Sequence, residues 1–212
     1  MNKITTILFD LGGVIMTIDQ SEAVRRFTEI GLKDACKQLD PYTQGGIFGD
    51  LESGKISDEQ FRAELSVMIG HEVTWEQCQY AWMGYCGGVP ERNLKLLLNL
   101  REQGYRVVLV SNTNPFMMAW AMDGDFDGKG NPLSHYVDKA YLSYECKVMK
   151  PNERFFRIVT AEEKIIPNET LFVDDGPRNV AAASQLGMHT FCPQNGADWT
   201  EEIFDHINTN YI

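Results

Sequence analysis

Short apolar runs alternate with helix-like segments along much of the chain. Five runs have the length and the β-branched or aromatic content of buried strands, at residues 4–9, 106–111, 139–142, 170–173 and 189–191. Each of the first four is followed by a segment in which apolar residues recur at helical spacing. Because strands that alternate with helices form parallel sheets, the pattern predicts an α/β fold with a doubly wound parallel sheet.

The stretch between about residue 18 and residue 88 has no strong strand pattern. It contains capping signals that are typical of helix starts, at Asp19, Ser57 and Thr74. Residues 41–54 include four glycines and are interpreted as a loop and a broken helix. The stretch is too long for a loop, so it predicts a helical insert after the first strand. The predicted units are a sheet domain of residues 1–17 and 89–212 and a helical cap of residues 18–88.

Two of the predicted helices have clear boundaries. The helix that follows Ser57 places Phe61, Leu65 and Met68 on one apolar face. Pro90 suits the first position of the next helix, because proline lacks the N–H that this position leaves unused. The spacing therefore predicts three buried side chains in the cap and a helix start at Pro90.

The chain is strongly acidic. Its 212 residues carry a formal net charge of −11. Nucleic acids and anionic membranes bind to basic surfaces, so the composition argues against both kinds of partner. A small anionic substrate is compatible with the charge, because a bound metal ion can invert the local field.

The cysteines and the first residues narrow the class of protein further. The five cysteines are scattered and form no C-x-x-C pair, which argues against a disulfide framework and against a zinc site. The chain starts directly with a strand pattern and shows neither a signal peptide nor a long apolar segment. We therefore expect a cytoplasmic protein, and among oligomeric states we favour a monomer.

Polar side chains stand at the carboxyl ends of four predicted strands. They are Asp10, Ser111, Lys150 (just past its strand) and the pair Asp174 and Asp175. Each alone has an ordinary explanation, as a turn residue, a helix cap or a solvent-exposed lysine. Ligands of open α/β sheets bind at the edge where the carboxyl ends of the strands meet. Together, the set therefore predicts a site in which carboxylates converge on a cation.

The four motifs around these residues resemble those of the haloacid dehalogenase (HAD) superfamily. They read Phe-Asp-Leu-Gly-Gly-Val at 9–14, Val-Ser-Asn-Thr-Asn at 110–114, Met-Lys-Pro-Asn at 149–152 and Phe-Val-Asp-Asp-Gly-Pro-Arg-Asn at 172–179. They occur in the order of the family, and the resemblance covers nearly the whole chain. It implies a Rossmann-like core with strand order 3-2-1-4-5, and it identifies the insert with the helical cap of the family.

The resemblance also implies a role for each motif. Asp10 is expected as the nucleophile, and Lys150 as the cation between nucleophile and phosphate. Ser111 and Asn112 are expected to hold phosphoryl oxygens. The implied cofactor is Mg²⁺, and its implied ligands are Asp10, the backbone carbonyl of Gly12, Asp174 and Asp175. Physical chemistry supports this scheme, because Mg²⁺ and an ammonium group cancel the repulsion between a carboxylate nucleophile and a phosphate dianion.

The implied activity is hydrolysis of a small phosphorylated metabolite. The expected chemistry is Mg²⁺-dependent phosphomonoester hydrolysis through an aspartyl-phosphate. Most phosphatases of the superfamily have a second aspartate two residues after the nucleophile as general acid and base, and here Gly12 takes that position. A substrate with a good leaving group tolerates this loss best. We therefore expect a sugar phosphate such as a hexose 1-phosphate, and residues 10–12, 111–114 and 52–57 resemble the branch that contains α-glucose-1-phosphate phosphatases.

Two other functions compete with this prediction. A 2-haloacid dehalogenase of the same superfamily also lacks the second aspartate, but it needs no metal. It typically has Ser-Ser-Asn where this chain has Asp174, Asp175 and Gly176, so the acidic pair favours the phosphatase. The other alternative is a non-catalytic phosphate-binding protein, which the presence of Asp10 and Lys150 argues against.

Some further positions carry weaker predictions. Lys147 stands where relatives commonly have glycine and offers a second ammonium group, but Lys150 keeps the Lys-Pro match and is preferred. Asn179 stands where the family often has a further acid, and it is expected to support the metal ligands. Two interpretations remain for the polar cap residues Asp50, Glu52 and Lys55: they contact a sugar hydroxyl from the cap, or they belong to a solvated loop, which is the interpretation we prefer.

Overall fold

A parallel sheet of five strands forms the centre of the molecule. The structure, a computed structural model, describes residues 3–39 and 45–208. The strands are β1 (Thr6–Phe9), β2 (Thr17–Ile18), β3 (Cys86–Gly88), β4 (Arg106–Ser111), β5 (Lys139–Leu142), β6 (Thr170–Val173) and β7 (His189–Phe191). The helices are α1 (Gln20–Glu29), α2 (Ala35–Gln38), α3 (Gly46–Glu52), α4 (Asp58–Ile69), α5 (Trp75–Trp82), α6 (Glu91–Glu102), α7 (Pro115–Ala121), α8 (Ser143–Cys146), α9 (Glu153–Glu163), α10 (Pro177–Gln185) and α11 (Glu202–Asn208).

The strand order of the main sheet is β5–β4–β1–β6–β7, and all neighbouring strands are parallel. Counted along the sheet domain, this is the order 3-2-1-4-5, so the predicted fold and its topology are confirmed. β1 lies in the centre, and its last residue, Phe9, pairs with Leu109 on one side and with Val173 on the other. The carboxyl ends of β1, β4 and β6 therefore lie side by side.

Side chains of the central strand alternate between two buried layers, as the period of a strand requires. Ile7 and Phe9 belong to the larger hydrophobic cluster, which also contains the buried residues of the cap. Leu8 packs on the other face with Phe156 and Phe172. Because both faces are covered, β1 is completely buried, which explains its uninterrupted apolar run.

The insert between β2 and β3 is helical, as its sequence predicts, and contains α1 to α5. The two flanking strands form an antiparallel ribbon in which Thr17 pairs with Gly88 and Ile18 pairs with Cys86. The pattern did not predict this ribbon, because strands of two and three residues are too short to show a period. The ribbon brings the two ends of the insert together. The division of the chain at these positions stays a prediction.

Aromatic side chains connect the cap helices to one another and to the sheet domain. Trp82 of α5 contacts Phe27 at a ring-centroid distance of 5.5 Å and Phe61 at 5.9 Å. Phe116 of α7, on the sheet side, contacts Phe61 at 5.8 Å and Trp75 at 5.4 Å. The hydrophobic core is therefore continuous from the sheet into the cap.

Three local predictions are wrong. Phe61 and Leu65 are buried as expected, but Met68 is 44% exposed, because the last turn of α4 leaves the core. Pro90 precedes α6 and is not its first residue, since its ψ of 124° is extended. Residues 46–52 form the regular helix α3 where a loop and broken helix were expected. Residues 40–44, which overlap that predicted loop, lie outside the described residues.

The helices of the described residues are short. The longest of them, α4 and α6, have 12 residues each. None of the helices in the described ranges is long and apolar enough to cross a membrane. The sequence pattern did not predict α11 near the end of the described residues.

Candidate active site at the carboxyl ends of the strands

Three of the predicted site residues stand at the ends of neighbouring strands. Asp10 follows β1, Ser111 ends β4 and Asp174 follows β6. The backbone N–H of Asp10 donates a hydrogen bond to the carbonyl of Val173 at 2.9 Å. The N–H of Leu11 donates to Oδ1 of Asp10 at 2.7 Å. These bonds hold the Asp10 carboxylate at the edge of the sheet.

Lys150 lies in the middle of the acidic residues, and its side chain is completely buried. Its Nζ is 3.0 Å from Oδ1 of Asp10 and donates to Oδ2 of Asp174 at 2.6 Å. It also donates to the backbone carbonyl of Val110 at 2.7 Å. An ammonium group has three donors, and these three acceptors use all of them. The position of the charge is therefore fixed beside Asp10.

Burial and the neighbouring charges both shift the pKa values of Lys150 and Asp10. Burial disfavours the charged form of Lys150, but Asp10 and Asp174 together raise its pKa above the ordinary lysine value. Burial raises the pKa of Asp10 to about 7; Lys150 lowers it, and Asp174 and Asp175 raise it. One buried ammonium group therefore compensates only part of the negative charge. A divalent cation at the same place would favour the carboxylate forms.

The acidic residues fit a magnesium ion. Asp10, Asp174 and Asp175 each offer one carboxylate oxygen, and these three oxygens lie within 4.8 Å of one another. Mg²⁺ prefers hard oxygen ligands and typically takes one or two carboxylates together with substrate oxygens and water. Both the donor chemistry and the spacing therefore agree with the implied cofactor.

Asp174 and Asp175 differ in their surroundings although they are adjacent in sequence. Asp174 is completely buried, and both of its oxygens accept hydrogen bonds from the protein. The Gly176 N–H donates to Oδ1 at 2.8 Å, and Asn179 Nδ2 donates to Oδ1 at 2.9 Å. Lys150 occupies the other oxygen. Asp174 therefore anchors Lys150, and Asn179 supports it as the sequence suggested, whereas Asp175 is only partly buried.

Gly12 and Gly13 follow Asp10, and the local geometry requires glycine only at position 13. Gly13 has a φ of +75°, and a Cβ there would lie 2.0 Å from Oδ2 of Asp175. Only glycine allows this close approach of backbone and carboxylate. Gly12 has no such backbone constraint, and a Cβ there would meet the flexible end of Ile18 at 3.0 Å. The missing side chain at Gly12 is therefore not required by the geometry of the chain.

The second motif contributes the buried hydroxyl of Ser111 and the side chain of Asn112, which binds the backbone of Lys150. Ser111 is buried, and its Oγ lies 3.3 Å from the carbonyl of Asn112, to which it donates. The Asn112 side chain bonds both backbone groups of Lys150. It accepts from the N–H at 2.8 Å and donates to the carbonyl at 2.9 Å. The side chain of Asn112, predicted to bind substrate, thus positions the third motif.

Lys147 lies elsewhere. It is exposed, and its Nζ donates to the carbonyl of Gly54 in the cap at 2.9 Å. Lys147 has a left-handed φ of 56°, which is the conformation that glycine adopts most easily. This explains why glycine suits the position in relatives. Between the two lysines, the structure brings Lys150 to the carboxylates and uses Lys147 to join cap and sheet.

An open cavity lies next to the acidic residues, between the motifs and the cap. The part of its lining that comes from the motifs includes Gly12, Ser111 and Asn114. The cap contributes Glu52 and Trp82. The wall combines apolar surface with a few polar groups, as the walls of small-molecule sites do.

Glu52 differs from the preferred sequence interpretation. A solvated loop was favoured over a contact with substrate, but Glu52 lies in α3 and is only 8% exposed. Burial raises its pKa to about 8; the amide of Asn114 lowers it, and the charge of Asp10 raises it. A signal was present, because Phe48, Leu51 and Glu52 have the i, i+3, i+4 spacing of one helix face. A carboxylate in an apolar stripe indicates a buried acid.

The cavity wall also offers buried N–H groups. Within the described part of the chain, Trp82 Nε1 has no hydrogen-bond acceptor, and Asn114 Nδ2 has none besides the Glu52 carboxyl, whose pKa it lowers. The Asn114 oxygen is used, because it accepts from the N–H of Met117 at 3.2 Å and caps α7. Buried donors without acceptors are costly, so a wall with such donors suits a ligand rich in oxygen.

This arrangement of sheet, acidic residues and buried lysine defines a family. The family model for haloacid dehalogenase-like hydrolases matches residues 4–187. The chain therefore belongs to the haloacid dehalogenase-like hydrolases, as its four motifs indicate.

Individual relatives are similar to this chain over nearly its full length. D-ribitol-5-phosphate phosphatase from Bacteroides thetaiotaomicron is 46% identical over 206 residues, which are 97% of this chain and 100% of that protein. A solved structure described as a "predicted HAD-like family hydrolase" from Porphyromonas gingivalis has a TM-score of 0.90 and 43% identity, over 95% of this chain and 96% of the other. A HAD family enzyme from Bacteroides thetaiotaomicron, in complex with magnesium and inorganic phosphate, has a TM-score of 0.86 and 36% identity, over 94% and 98% of the two chains.

Proposed function

We propose that this protein removes the phosphoryl group from a small phosphorylated polyol or sugar by way of an aspartyl-phosphate on Asp10. The observation that carries the proposal is the buried Lys150, which sits 3.0 Å from Asp10 among three carboxylates. This arrangement suits the transfer of a phosphoryl dianion to a carboxylate, because it supplies positive charge beside the nucleophile.

The enzyme class and the cofactor that the sequence predicted are confirmed. The chain is a HAD-family phosphatase, and similar enzymes of solved structure hold magnesium and inorganic phosphate. The substrate and the covalent intermediate belong to the proposal. The cytoplasmic location and the monomeric state stay predictions.

Each residue of the acidic site has a task in the proposed reaction. Asp10 attacks phosphorus, and the bond between phosphorus and the ester oxygen breaks, so that an alcohol leaves and an aspartyl-phosphate forms. Lys150 compensates the charge of nucleophile and phosphate throughout. Asp10 and Asp175 would hold Mg²⁺, which when bound supplies further positive charge beside the phosphoryl group. Water then releases phosphate and restores the carboxylate of Asp10.

A pentitol phosphate is the substrate that we favour. The relative with 46% identity is named for D-ribitol 5-phosphate, and this chain matches it from end to end. The cavity next to Asp10 offers the carboxyl of Glu52, the side-chain amide of Asn114 and the Trp82 Nε1–H, which has no acceptor in the described residues. These groups suit the row of hydroxyls in a polyol.

A hexose 1-phosphate is the second candidate. The observation that favours it is Gly12, which lines the cavity and has no side chain that could protonate a leaving group. An anomeric oxygen leaves more easily than an ordinary alkoxide, so it needs less help from a general acid.

A panel of substrates separates these possibilities. We expect D-ribitol 5-phosphate to give the highest kcat/KM, about tenfold or more above hexose 1-phosphates and hexose 6-phosphates, because the polar groups of the cavity wall suit a row of hydroxyls. Phosphate release is measured with each compound in Mg²⁺, and halide release from a 2-haloacid is measured in parallel. A preference for the hexose 1-phosphate would select the second candidate. Halide release without phosphate release would select the dehalogenase.

Lys150→Ala is expected to lower kcat/KM about 10²–10³-fold, because a buried positive charge next to the transferring group is lost. The variant is also expected to unfold more easily, since Asp174 loses its charged partner in a fully buried position. Steady-state kinetics and thermal melting measure the two effects. Lys147→Ala is the matched control and is expected to keep kcat/KM within about threefold. The reverse order of the two variants would contradict the placement of the third motif.

A further inference from the structure

We infer that Glu52 of the cap is the general acid and base of this phosphatase, in place of the aspartate that Gly12 replaces. The inference rests on the proposed function and names a group for a task that the acidic site leaves open. The charged residues of the four motifs that line up at the site have other tasks, because Lys150 and Asp174 bond one another, Asp10 is the proposed nucleophile and Asp175 is a proposed metal ligand.

Glu52 lines the same cavity as residues of the first and second motifs. Gly12 contributes from the loop after β1, and Glu52 contributes from the end of α3. Ser111 of the second motif, which is expected to hold phosphoryl oxygens, also lines this cavity. An alcohol bound in the cavity would therefore contact both the loop that follows Asp10 and a carboxyl group supplied by the cap.

The surroundings of Glu52 also suit proton transfer. The side chain is nearly buried, and the neighbouring charged group is Asp10, which has the same sign. Burial is the main cause that raises the pKa of Glu52 to about 8, and it favours the protonated carboxyl inside the cavity. An acid with a pKa near the working pH can donate a proton in one step and accept one in the next.

The proposed proton transfers balance over the two steps. When the bond between phosphorus and the ester oxygen breaks, the Glu52 carboxyl gives its proton to that oxygen, and the product leaves as a neutral alcohol. The resulting Glu52 carboxylate then takes a proton from the water that attacks the phosphorus of the aspartyl-phosphate. Phosphate and the Asp10 carboxylate are released, and Glu52 is again protonated.

Asn114 completes the arrangement as a positioning residue. Its side-chain oxygen is fixed by the N–H of Met117, so its Nδ2 is held on the cavity side of the α7 cap. The Asn114 amide acts on the Glu52 carboxyl by hydrogen bonding, which lowers the pKa of Glu52. This group can therefore stabilise the Glu52 carboxylate that forms when the proton has left.

The test compares leaving groups of different acidity. Glu52→Gln keeps the size of the side chain and removes the acidic proton. With alkyl phosphates such as D-ribitol 5-phosphate, we expect kcat to fall about 10²–10⁴-fold, because a poor leaving group needs the proton. With 4-nitrophenyl phosphate, we expect a loss of less than about tenfold, because that leaving group departs as an anion. Asp50→Asn is the matched control on the same helix, since Asp50 pairs with Lys55 at the surface.

The outcomes separate the role of Glu52 from the proposed function. A loss confined to alkyl phosphates supports the inference. An equal loss with both classes of substrate, or no loss with either, overturns it, since Glu52 would then hold substrate or do nothing. If Glu52→Gln does not fold, the wild type decides, because a steep dependence of its kcat on leaving-group acidity means that no general acid acts. A wild type that hydrolyses no phosphomonoester overturns the proposed function as well.

Discussion

Asp10→Asn is expected to lower kcat by about 10⁴-fold or more with every phosphomonoester, because the amide has nearly the same shape but cannot attack phosphorus. The fold should persist, since Oδ1 of the side chain can still accept from the N–H of Leu11. Without metal, the variant should be at least as stable as the wild type. It removes one of three carboxylates that surround a single ammonium group.

Three measurements check this expectation. Steady-state kinetics give the loss of kcat, and thermal melting gives the stability in EDTA. Acid quenching followed by mass spectrometry should detect a phosphorylated peptide around Asp10 in the wild type but not in the variant. Asp34→Asn is the control, because Asp34 is an exposed carboxylate that pairs with Lys37. Turnover at the wild-type rate by Asp10→Asn would mean that another group attacks phosphorus, and the central hypothesis would fail.

Removal of the metal is expected to have the next largest effect. EDTA should lower phosphatase activity about 10³-fold or more, because the charge that polarises the phosphoryl group is lost, and Mg²⁺ should restore it. Asp175→Asn should raise the Mg²⁺ concentration needed for half-maximal activity by at least about tenfold, since one of few protein ligands loses its charge. A titration of activity against free Mg²⁺ measures both effects.

The control for the metal experiment is Asp125→Asn, an exposed carboxylate in the loop after α7. Its Mg²⁺ requirement should equal that of the wild type. Full activity of the wild type in EDTA would contradict the metal site and would favour the dehalogenase chemistry. An unchanged Mg²⁺ requirement in Asp175→Asn would show that Asp10 and Asp174 suffice as ligands.

Much of the fold was predictable because the central strands repeat one simple pattern. Runs such as residues 170–173 are apolar on both faces, and each of the site residues Asp10, Ser111 and Asp174 marks the end of such a strand. Elements that are too short to show a periodic pattern of apolar residues could not be predicted. The ribbon of β2 and β3 is too short to show one.

The sequence predicts which residues belong to the site, but residue type alone does not predict which hydrogen bonds each of them makes. Asp174 and Asp175 are the same residue type, and the hydrogen bonds of Gly176 and Asn179 to the first of them distinguish the two. Glu52 was misassigned because glycines around α3 suggested a loop. Its burial depends on how the cap packs over the sheet, which is a tertiary contact between distant parts of the chain.

The contact between Phe116 and the cap has a consequence for the entry of substrate and the release of product. Phe116 is completely buried, and it holds Phe61 and Trp75 at the boundary of cap and sheet. Swinging the cap away would expose this ring to water, at a cost of about 1.5–3 kcal/mol. Open molecules would then be fewer than about one in ten at rest. Release of the alcohol product would therefore depend on this minor open population of the cap.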